Sequence, residues 1–335
     1  MQTTEFITML PKAELHLHLE GALPWEMVRA YATEPLPDRP AWWEEDFLFD
    51  DFTDFQAVMR LCYNQILTSV DNYHQAAGYI FRNLAEQNVR YVEISFGAGI
   101  LLRQELDFPE VIAAIKAAAP PDMTVIVYGG LARNQTLPLS DPLIESVLNA
   151  TNLDGLDLHG DERLGQPAPF ADIFAQARLR GLETRAHAGE LTGPQTISDT
   201  LDYLQVNRIE HGTSAIHDEA LMTRLANERV TLDMCPTSNL KLQAVSSLTE
   251  HPIRTFHQRG IPVTVNSDDP TAFGSSLTDE LHLLVDQLDF TLADLAQLQI
   301  NAFQVAKMPE DKRAAMLAEI EQLVTQLNPA QPIAK

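Results

Sequence analysis

The sequence predicts an α/β protein, a single (β/α)8 TIM-type barrel with a helical and loop insertion after its first strand. Runs of residues with strand periodicity alternate along the chain with segments of helical spacing, and eight such runs can be counted. Alternation of this kind predicts a parallel sheet, and eight units predict a closed barrel. No shift in composition and no flexible linker marks a boundary, so we expect residues 1–335 to form one domain.

The predicted elements follow one another at regular spacing. The strands are predicted at residues 14–19, 89–96, 124–128, 153–158, 183–188, 208–211, 230–234 and 261–266. Helices are predicted at residues 23–31, 58–87, 110–119, 143–150, 170–180, 197–204, 217–227 and 252–259. Residues 34–55, rich in acid, proline and aromatic side chains, are predicted to form a long surface loop whose role the sequence leaves open.

The composition excludes some classes of partner. The formal net charge is −24, from 47 acidic and 23 basic residues, and this charge repels phosphate backbones and anionic lipid surfaces. We therefore expect no nucleic acid and no membrane as a partner. Hydrophobic residues make up 45% of the chain, which is typical of a globular protein with a large aliphatic core. The oligomeric state stays open.

The cysteines and the N-terminal segment indicate a compartment. Cys62 and Cys235 are the two cysteines in 335 residues, too few for a disulfide framework, which favours a reducing environment. The first residues lack a basic segment followed by an apolar one, and no uncharged apolar run approaches the roughly 18 residues of a membrane span. We expect a cytoplasmic protein.

Polar residues collect where four of the predicted strands end. His16 and His18 lie two residues apart on the first strand, so both side chains face the same way. Two histidines spaced in this way are, taken alone, explained equally well as half-buried residues on a sheet edge. The ends of the fifth, sixth and eighth strands add His187, Glu190, His211, Asp268 and Asp269. Because barrel active sites lie at the carboxyl ends of the strands, four such ends together indicate one site.

The chemistry of these groups points to a metal-dependent reaction. Three imidazoles and a carboxylate form a ligand set typical of zinc, one ion per chain: His16, His18, His187 and Asp268. A divalent cation lowers the pKa of bound water from about 15.7 to near 7, which supplies a nucleophile at neutral pH. Glu190 and His211 are then placed for proton transfer, and Asp269 for a hydrogen bond to the substrate.

Six segments carry a recognisable pattern in chain order. They are PKAELHLHLEG at residues 11–21, LDLHGDE at 156–162, HAGE at 187–190, RIEHGT at 208–213, CPTSN at 235–239 and VNSDDP at 265–270. With these segments the sequence resembles the adenosine deaminase family of metal-dependent amidohydrolases. The resemblance implies a barrel that holds one zinc ion, and replacement of the 6-amino group of a purine by oxygen with release of ammonia.

The resemblance also implies roles for single residues. Glu190 would protonate the purine nitrogen N1, and His211 would orient the attacking hydroxide toward C6. Asp269 would hydrogen-bond N7, and the backbone N–H of Gly160 would reach N3. These roles agree with the chemistry, because an aromatic amine leaves poorly until its ring is protonated.

The residue after the histidine pair departs from the adenosine-specific members of the family. Those members commonly have Asp-Gly there, with the Asp on the ribose 5′-hydroxyl, whereas this chain has Glu20-Gly21. The extra methylene moves the carboxylate by about 1.5 Å. Relatives acting on adenine or on 5′-modified nucleosides resemble the chain here. We expect a purine nucleoside, adenosine or a 5′-modified adenosine, to be preferred over free adenine; the alternatives are adenine and 6-amino-6-deoxyfutalosine of menaquinone synthesis.

Three rival functions fit the sequence less well. The first is another amidohydrolase reaction on the same barrel, such as hydrolysis of a lactone or a cyclic amide. Relatives with two metals usually bridge them by a modified lysine at the end of strand four, and residues 156–160 read LDLHG, without lysine. The second rival is deamination of bases in nucleic acid. The zinc deaminases that catalyse it combine an H-x-E motif with a P-C-x-x-C motif, and the two widely separated cysteines of this chain cannot form P-C-x-x-C. A catalytically inactive purine-binding protein would have lost a ligand or the acid, and none is lost.

Overall fold

The eight strands lie side by side in chain order in one parallel sheet, in a computed structural model that describes residues 1–134 and 136–327. The strands are β1 (Lys12–His18), β2 (Val89–Gly97), β3 (Thr124–Ala132), β4 (Gly155–His159), β5 (Glu183–Ala188), β6 (Arg208–His211), β7 (Thr231–Met234) and β8 (Val263–Val265). Each pairs in parallel with the next, for example Tyr91 of β2 with Thr124 of β3.

The sheet closes into a barrel between its first and last strands. Leu17 forms a parallel bridge with Asp268, just past the end of β8. The N–H of His18 donates to the Asp268 carbonyl at 3.0 Å, and the N–H of Asp268 donates to the His16 carbonyl at 3.0 Å. The predicted (β/α)8 barrel is confirmed.

Helices surround the barrel. They are α1 (Thr3–Met9), α2 (Trp25–Tyr31), α3 (Phe52–Tyr63), α4 (Val70–Glu86), α5 (Ala98–Arg103), α6 (Phe108–Ala117), α7 (Pro142–Asn149), α8 (Ala171–Leu179), α9 (Pro194–Leu204), α10 (Glu219–Glu228), α11 (Pro236–Lys241), α12 (Ile253–Gln258), α13 (Pro270–Phe273), α14 (Leu277–Gln287), α15 (Leu292–Val305) and α16 (Glu310–Leu327). None of these described helices is both long enough and apolar enough to cross a membrane.

The insertion after β1 differs from its prediction. The single helix predicted at residues 58–87 is two helices, α3 and α4, and α3 begins inside the predicted loop. Helix-capping residues explain both boundaries. The Asp51 carboxylate accepts the N–H groups of Thr53 and Asp54 at 2.6 and 3.0 Å and starts α3, while the Ser69 hydroxyl accepts the N–H of Asn72 at 3.2 Å and starts α4.

Helix α15 fastens the seam of the barrel. The Gln299 side-chain oxygen accepts the N–H of Ala13 in β1 at 2.8 Å, and the Asn301 amide donates to the Val263 carbonyl in β8 at 2.9 Å. Both strands at the seam are therefore held by one helix that the sequence pattern did not predict. This support matters for the site, because β1 and β8 carry three of the predicted ligands.

The barrel interior contains charges as well as aliphatic side chains. We call the buried residues Glu93, Arg185, Arg208 and Asp233 the arginine cluster. Arg208 places Nη1 2.6 Å from Glu93 Oε2 and Nη2 2.6 Å from Asp233 Oδ2. Arg185 Nη1 lies 3.2 Å from the same oxygen of Glu93. In this cluster every carboxylate therefore lies against a guanidinium.

Candidate active site

Five buried side chains meet at the carboxyl ends of four strands. We call them the histidine cluster: His16, His18, His187, His211 and Asp268. The His16 ring lies 5.3 Å from the His18 ring, 4.8 Å from that of His187 and 4.7 Å from that of His211, centre to centre. Asp268 Oδ1 lies 3.3 Å from His16 Nε2 and 3.4 Å from His18 Nε2. The structure thus brings together the four predicted metal ligands and His211.

The donor atoms of this cluster fit a divalent cation. One ring nitrogen each of His16, His18 and His187 lies within 4.8 Å of the others. Within the described residues, His16 Nε2 and His187 Nε2 are buried and make no well-aligned hydrogen bond, although Asp268 Oδ1 lies 3.3 Å from the first and Glu210 Oε2 lies 3.2 Å from the second. Such an arrangement is costly unless another group satisfies these nitrogens. Burial lowers the pKa of His18 to about 3, so that its imidazole is neutral and keeps a lone pair for a metal.

Neighbouring groups orient the ligands. His16 Nδ1 lies 3.3 Å from the Asp233 carbonyl, to which it donates, so its lone pair is on Nε2. The Ser238 hydroxyl donates to Asp268 Oδ2 at 2.7 Å, which turns Oδ1 toward the histidines. Such outer contacts set the orientation and basicity of metal ligands.

Two members of the histidine cluster have left-handed backbone. His211, the last residue of β6, has φ +65°, and Asp268, three residues after the end of β8, has φ +61°. For residues with a side chain this region costs about 1–2 kcal/mol, and such strained positions concentrate at active sites. The strain turns both side chains into the mouth of the barrel.

Two carboxyl groups stand beside the histidine cluster with oxygen atoms to spare. Glu190 Oε1 and Asp269 Oδ1 are buried and have no hydrogen-bond partner among the described residues. Glu190 Oε2 lies 3.6 Å from His211 Nε2. Burial raises the pKa of both carboxyls well above the usual range. Asp269 also requires a glycine at position 21, because a Cβ on Gly21 would lie only 1.7 Å from Asp269 Oδ1.

A cavity of about 330 Å³ lies at the mouth of the barrel. Its lining includes Glu190, Asp269, every member of the histidine cluster except His16, and the predicted residues Gly160 and Glu20. Gly160 has φ +91°, a conformation that favours glycine. Glu20 Oε1 accepts the N–H of Gly97 at 2.8 Å, and burial raises the Glu20 pKa to about 7. The outer wall is formed by α3, including Phe55 and Tyr63, so the insertion after β1 roofs the site.

The sequence did not predict two residues that support the site, Glu162 and Asn239. The buried Glu162 carboxylate accepts the N–H groups of Gly189 and Glu190 at 2.8 and 2.9 Å, and the Thr192 hydroxyl at 2.5 Å. The Asn239 amide lies 2.9 Å from His211 Nδ1. Both residues belong to segments that carried the family resemblance, LDLHGDE and CPTSN, but only the fold shows what they contact.

The fold and the site define an amidohydrolase barrel, and the chain belongs to the adenosine deaminase family, whose model matches residues 11–323. With that family it is a hydrolase that acts on carbon–nitrogen bonds in cyclic amidines, a deaminase of adenine-type substrates.

Three known proteins illustrate the relationship. A protein of Cupriavidus metallidurans named adenine deaminase is 35% identical over 326 residues, which cover 94% of this chain and 92% of that protein. The crystal structure of adenine deaminase from Arthrobacter aurescens has a TM-score of 0.84 at 27% identity and covers 94% of this chain and 99% of that one. A Burkholderia ambifaria amidohydrolase with bound Zn shares the fold, with a TM-score of 0.83, 24% identity and coverage of 97% and 94%.

Proposed function

We propose that the protein is a zinc-dependent adenine deaminase, in which water replaces the 6-amino group of the free base and ammonia is released. The observation that carries this proposal is the pair of unsatisfied oxygens, Glu190 Oε1 and Asp269 Oδ1, which lie in one cavity with the unsatisfied Nε2 of His187. Buried polar atoms without partners are rare, and here they surround the space that a flat, polar ring would occupy.

In this proposal His16, His18, His187 and Asp268 hold the zinc ion. Zinc, when bound, lowers the pKa of water toward about 7 and so supplies the nucleophile at neutral pH. His211 lies at the edge of the same cluster, where its Nε2 can hydrogen-bond the attacking oxygen.

The two carboxyl groups bind and activate the ring. Burial raises the pKa of Glu190 and so favours its protonated form, and we assign to it the donation of a proton to N1, which draws electrons from C6. N7 of adenine is an acceptor, and the raised pKa of Asp269 supports donation from its carboxyl to that atom. The Gly160 N–H is assigned to N3. The amino group then leaves C6 as ammonia.

From the sequence we expected a nucleoside to be preferred, and the named relatives favour free adenine instead. Glu20 offers a physical reason. Its Oε1 is engaged by Gly97, and we assign its second oxygen to the imidazole N–H of adenine. A nucleoside carries its sugar on that nitrogen and has no hydrogen to donate. A site that depends on one hydrogen bond can reject the analogue lacking it by about 10⁴-fold.

A purine nucleoside, including one with a 5′ extension such as 6-amino-6-deoxyfutalosine, is the second candidate substrate. It is favoured by the size of the cavity and by its lining, which includes residues of α3 and Arg103 as well as Glu20. A sugar attached to the ring would project toward the wall formed by α3.

Steady-state assays of ammonia release test the choice between these substrates. We expect kcat/KM to be largest for adenine and lower for adenosine and a 5′-extended nucleoside. Glu20→Asp should reduce kcat/KM for adenine by at least about tenfold and should change kcat/KM for the nucleosides by a smaller factor. The matched control is Glu26→Asp on the exposed face of α2. A preference for adenosine would reject adenine as the substrate, and no turnover of any 6-aminopurine would reject deamination.

A further inference from the structure

Three side chains form a hydrogen-bonded chain behind His211 that the roles above do not use. The Asn239 amide nitrogen lies 2.9 Å from His211 Nδ1, and the Asn239 side-chain oxygen lies 3.0 Å from His251 Nε2. His251 Nδ1 in turn accepts the backbone N–H of Ile253 at 3.3 Å. Asn239 is 0% exposed and His251 4% exposed, so water does not offer these groups other partners.

The far end of this chain fixes the direction of every hydrogen bond. A backbone N–H can only donate, so Nδ1 of His251 must accept from Ile253. Burial lowers the pKa of His251 to about 3, so the ring is neutral and its single proton lies on Nε2. That proton is donated to the Asn239 oxygen. The Asn239 NH2 group then faces His211 Nδ1 and donates to it, which leaves the proton of a neutral His211 on Nε2.

The same contacts disfavour the opposite direction of these hydrogen bonds. If His211 carried its proton on Nδ1, Asn239 would have to turn its oxygen toward His211 and its NH2 toward His251. Nε2 of His251 would then accept, and the proton on its Nδ1 would meet the N–H of Ile253 head to head. Two donors facing each other in a buried site leave both unsatisfied, which costs about 1–3 kcal/mol.

We infer that Asn239 and His251 are positioning residues that hold His211 in its Nε2–H form. His211 Nε2 lies 3.6 Å from Glu190 Oε2 and 3.9 Å from Asp268 Oδ2, so this hydrogen is directed between the carboxyl groups of Glu190 and Asp268. His211 therefore enters the site as a hydrogen-bond donor that aligns an oxygen there, and it does not act as the acceptor of that oxygen's proton. The part of this inference that concerns turnover rests on the proposed function.

Nitrogen NMR of the zinc-loaded protein labelled with 15N-histidine reads the proton position directly. We expect the His211 spectrum to show a protonated Nε2 and an unprotonated Nδ1. Asn239→Asp replaces a donor by an acceptor of the same size, and should move the proton of His211 to Nδ1. A wild-type His211 with its proton on Nδ1, or an unchanged proton position in Asn239→Asp, would overturn the inference. This measurement is independent of which substrate the enzyme takes.

Kinetics separate positioning from a merely structural role. Asn239→Asp should lower kcat by about 100-fold or more, because a wrong tautomer of a catalytic histidine is severely damaging, while KM changes by less than about threefold. Asn239→Ala, which imposes neither direction, should lower kcat by only about 10-fold to 100-fold. A structural role predicts the reverse order, since Asp preserves the volume of Asn, and that order would contradict the inference.

A second pair of variants covers the case in which Asn239→Asp does not fold. His251→Gln retains a side-chain N–H that can donate to Asn239, and His251→Ala does not. We expect His251→Gln to keep the Nε2–H form of His211 and at least about tenfold more activity than His251→Ala. Equal rates and equal spectra for the two variants would overturn the role of His251. Failure of the wild type to deaminate any 6-aminopurine would reject the proposed function and leave the NMR result standing.

Discussion

The barrel interior holds two buried polar groups of opposite character, the arginine cluster and the histidine cluster. In the arginine cluster each carboxylate accepts short contacts from guanidinium groups, and Tyr91 and Thr264 satisfy remaining oxygens at 2.8 Å. In and beside the histidine cluster, ring nitrogens of His16 and His187 and oxygens of Glu190 and Asp269 have no partner among the described residues.

This difference indicates that the arginine cluster stabilises the fold and that the histidine cluster binds a ligand. The carboxylates of Glu93 and Asp233 are fully hydrogen-bonded, so they hold strands together and have no oxygen left to offer a ligand, although Nε and Nη2 of Arg185 in the same cluster make no hydrogen bond to any described residue. A buried polar atom without a partner is a cost to the fold, which persists where a ligand repays it. Glu210 joins the two regions, since its carboxylate lies 3.0 Å from Arg185 Nε and 3.2 Å from His187 Nε2. The arginine cluster thus supports the floor of the site.

The largest expected effect is on turnover in the unsatisfied region. Glu190→Gln removes the proton donor and keeps the shape of the side chain, so kcat for adenine should fall by about 10²-fold to 10⁴-fold. The free energy of unfolding should not fall by more than about 1 kcal/mol, because no paired charge is broken. Steady-state assays and urea unfolding measure the two quantities.

Glu183→Gln is the matched control, because Glu183 is exposed at the start of β5, whereas Glu190 lies two residues after the end of that strand. It should leave both kcat and stability at wild-type values. Normal turnover in Glu190→Gln would show that Glu190 is not the proton donor, and would contradict the assignment of the chemistry to the buried groups without hydrogen-bond partners.

The largest effect on stability should come from the arginine cluster. Arg208→Met leaves Glu93 and Asp233 without their shortest contacts, so the free energy of unfolding should fall by about 3–5 kcal/mol. Turnover per folded molecule should fall by less than about tenfold, because Arg208 does not line the cavity. Urea unfolding and assays on the folded fraction test both statements.

A surface arginine supplies the control for this change. Arg224 pairs with Asp202 at 2.8 Å and with Glu228 at 3.0 Å, and its side chain is 31% exposed. Arg224→Met should lower the free energy of unfolding by less than about 1 kcal/mol. Equal losses in the two variants would mean that the arginine cluster is no more important than a surface pair.

An intermediate effect is expected at Glu162, which supports the segment carrying Glu190. Glu162→Gln keeps the volume but replaces one accepting oxygen with an NH2 group that faces the N–H groups of Gly189 and Glu190. We expect kcat to fall by about 10-fold to 100-fold with KM within about threefold of wild type. A loss confined to KM would show that Glu162 shapes the pocket and does not position the acid.

The smallest effect is expected at the edge of the arginine cluster. The Tyr91 hydroxyl donates to Glu93 Oε1 at 2.8 Å and accepts the N–H of Lys307 at 2.7 Å. Tyr91→Phe should lower the free energy of unfolding by about 1–3 kcal/mol and leave kcat unchanged. A drop in kcat would indicate that the two regions are more strongly coupled than their contacts imply.

The fold was predictable where periodicity was clear. The strands at residues 183–188 and 208–211 have the predicted bounds, as β5 and β6. The break between α3 and α4 was missed because the apolar spacing continues across it, and the cap at Ser69 marks the start of α4. Helices α14, α15 and α16 follow the last predicted strand, where no elements were assigned.

The candidate site was predictable as far as its residues sit in short local motifs. The positions of Asn239, His251 and Glu162 relative to His211 and Glu190 depend on long-range packing that no local spacing encodes. The arginine cluster was hidden for a related reason. Charged residues that alternate with apolar ones along a strand are typical of a solvent-facing side, whereas closure of the barrel turns that side inward.

The most direct test of the account is a metal titration followed by ammonia release from adenine. Protein stripped of metal by a chelator should be inactive, and activity should rise in proportion to added zinc and level off at about one ion per chain. Metal analysis of the same samples gives the stoichiometry. Full activity without metal, or a requirement for two ions per chain, would contradict the assignment of the unsatisfied histidine nitrogens to a single catalytic zinc site.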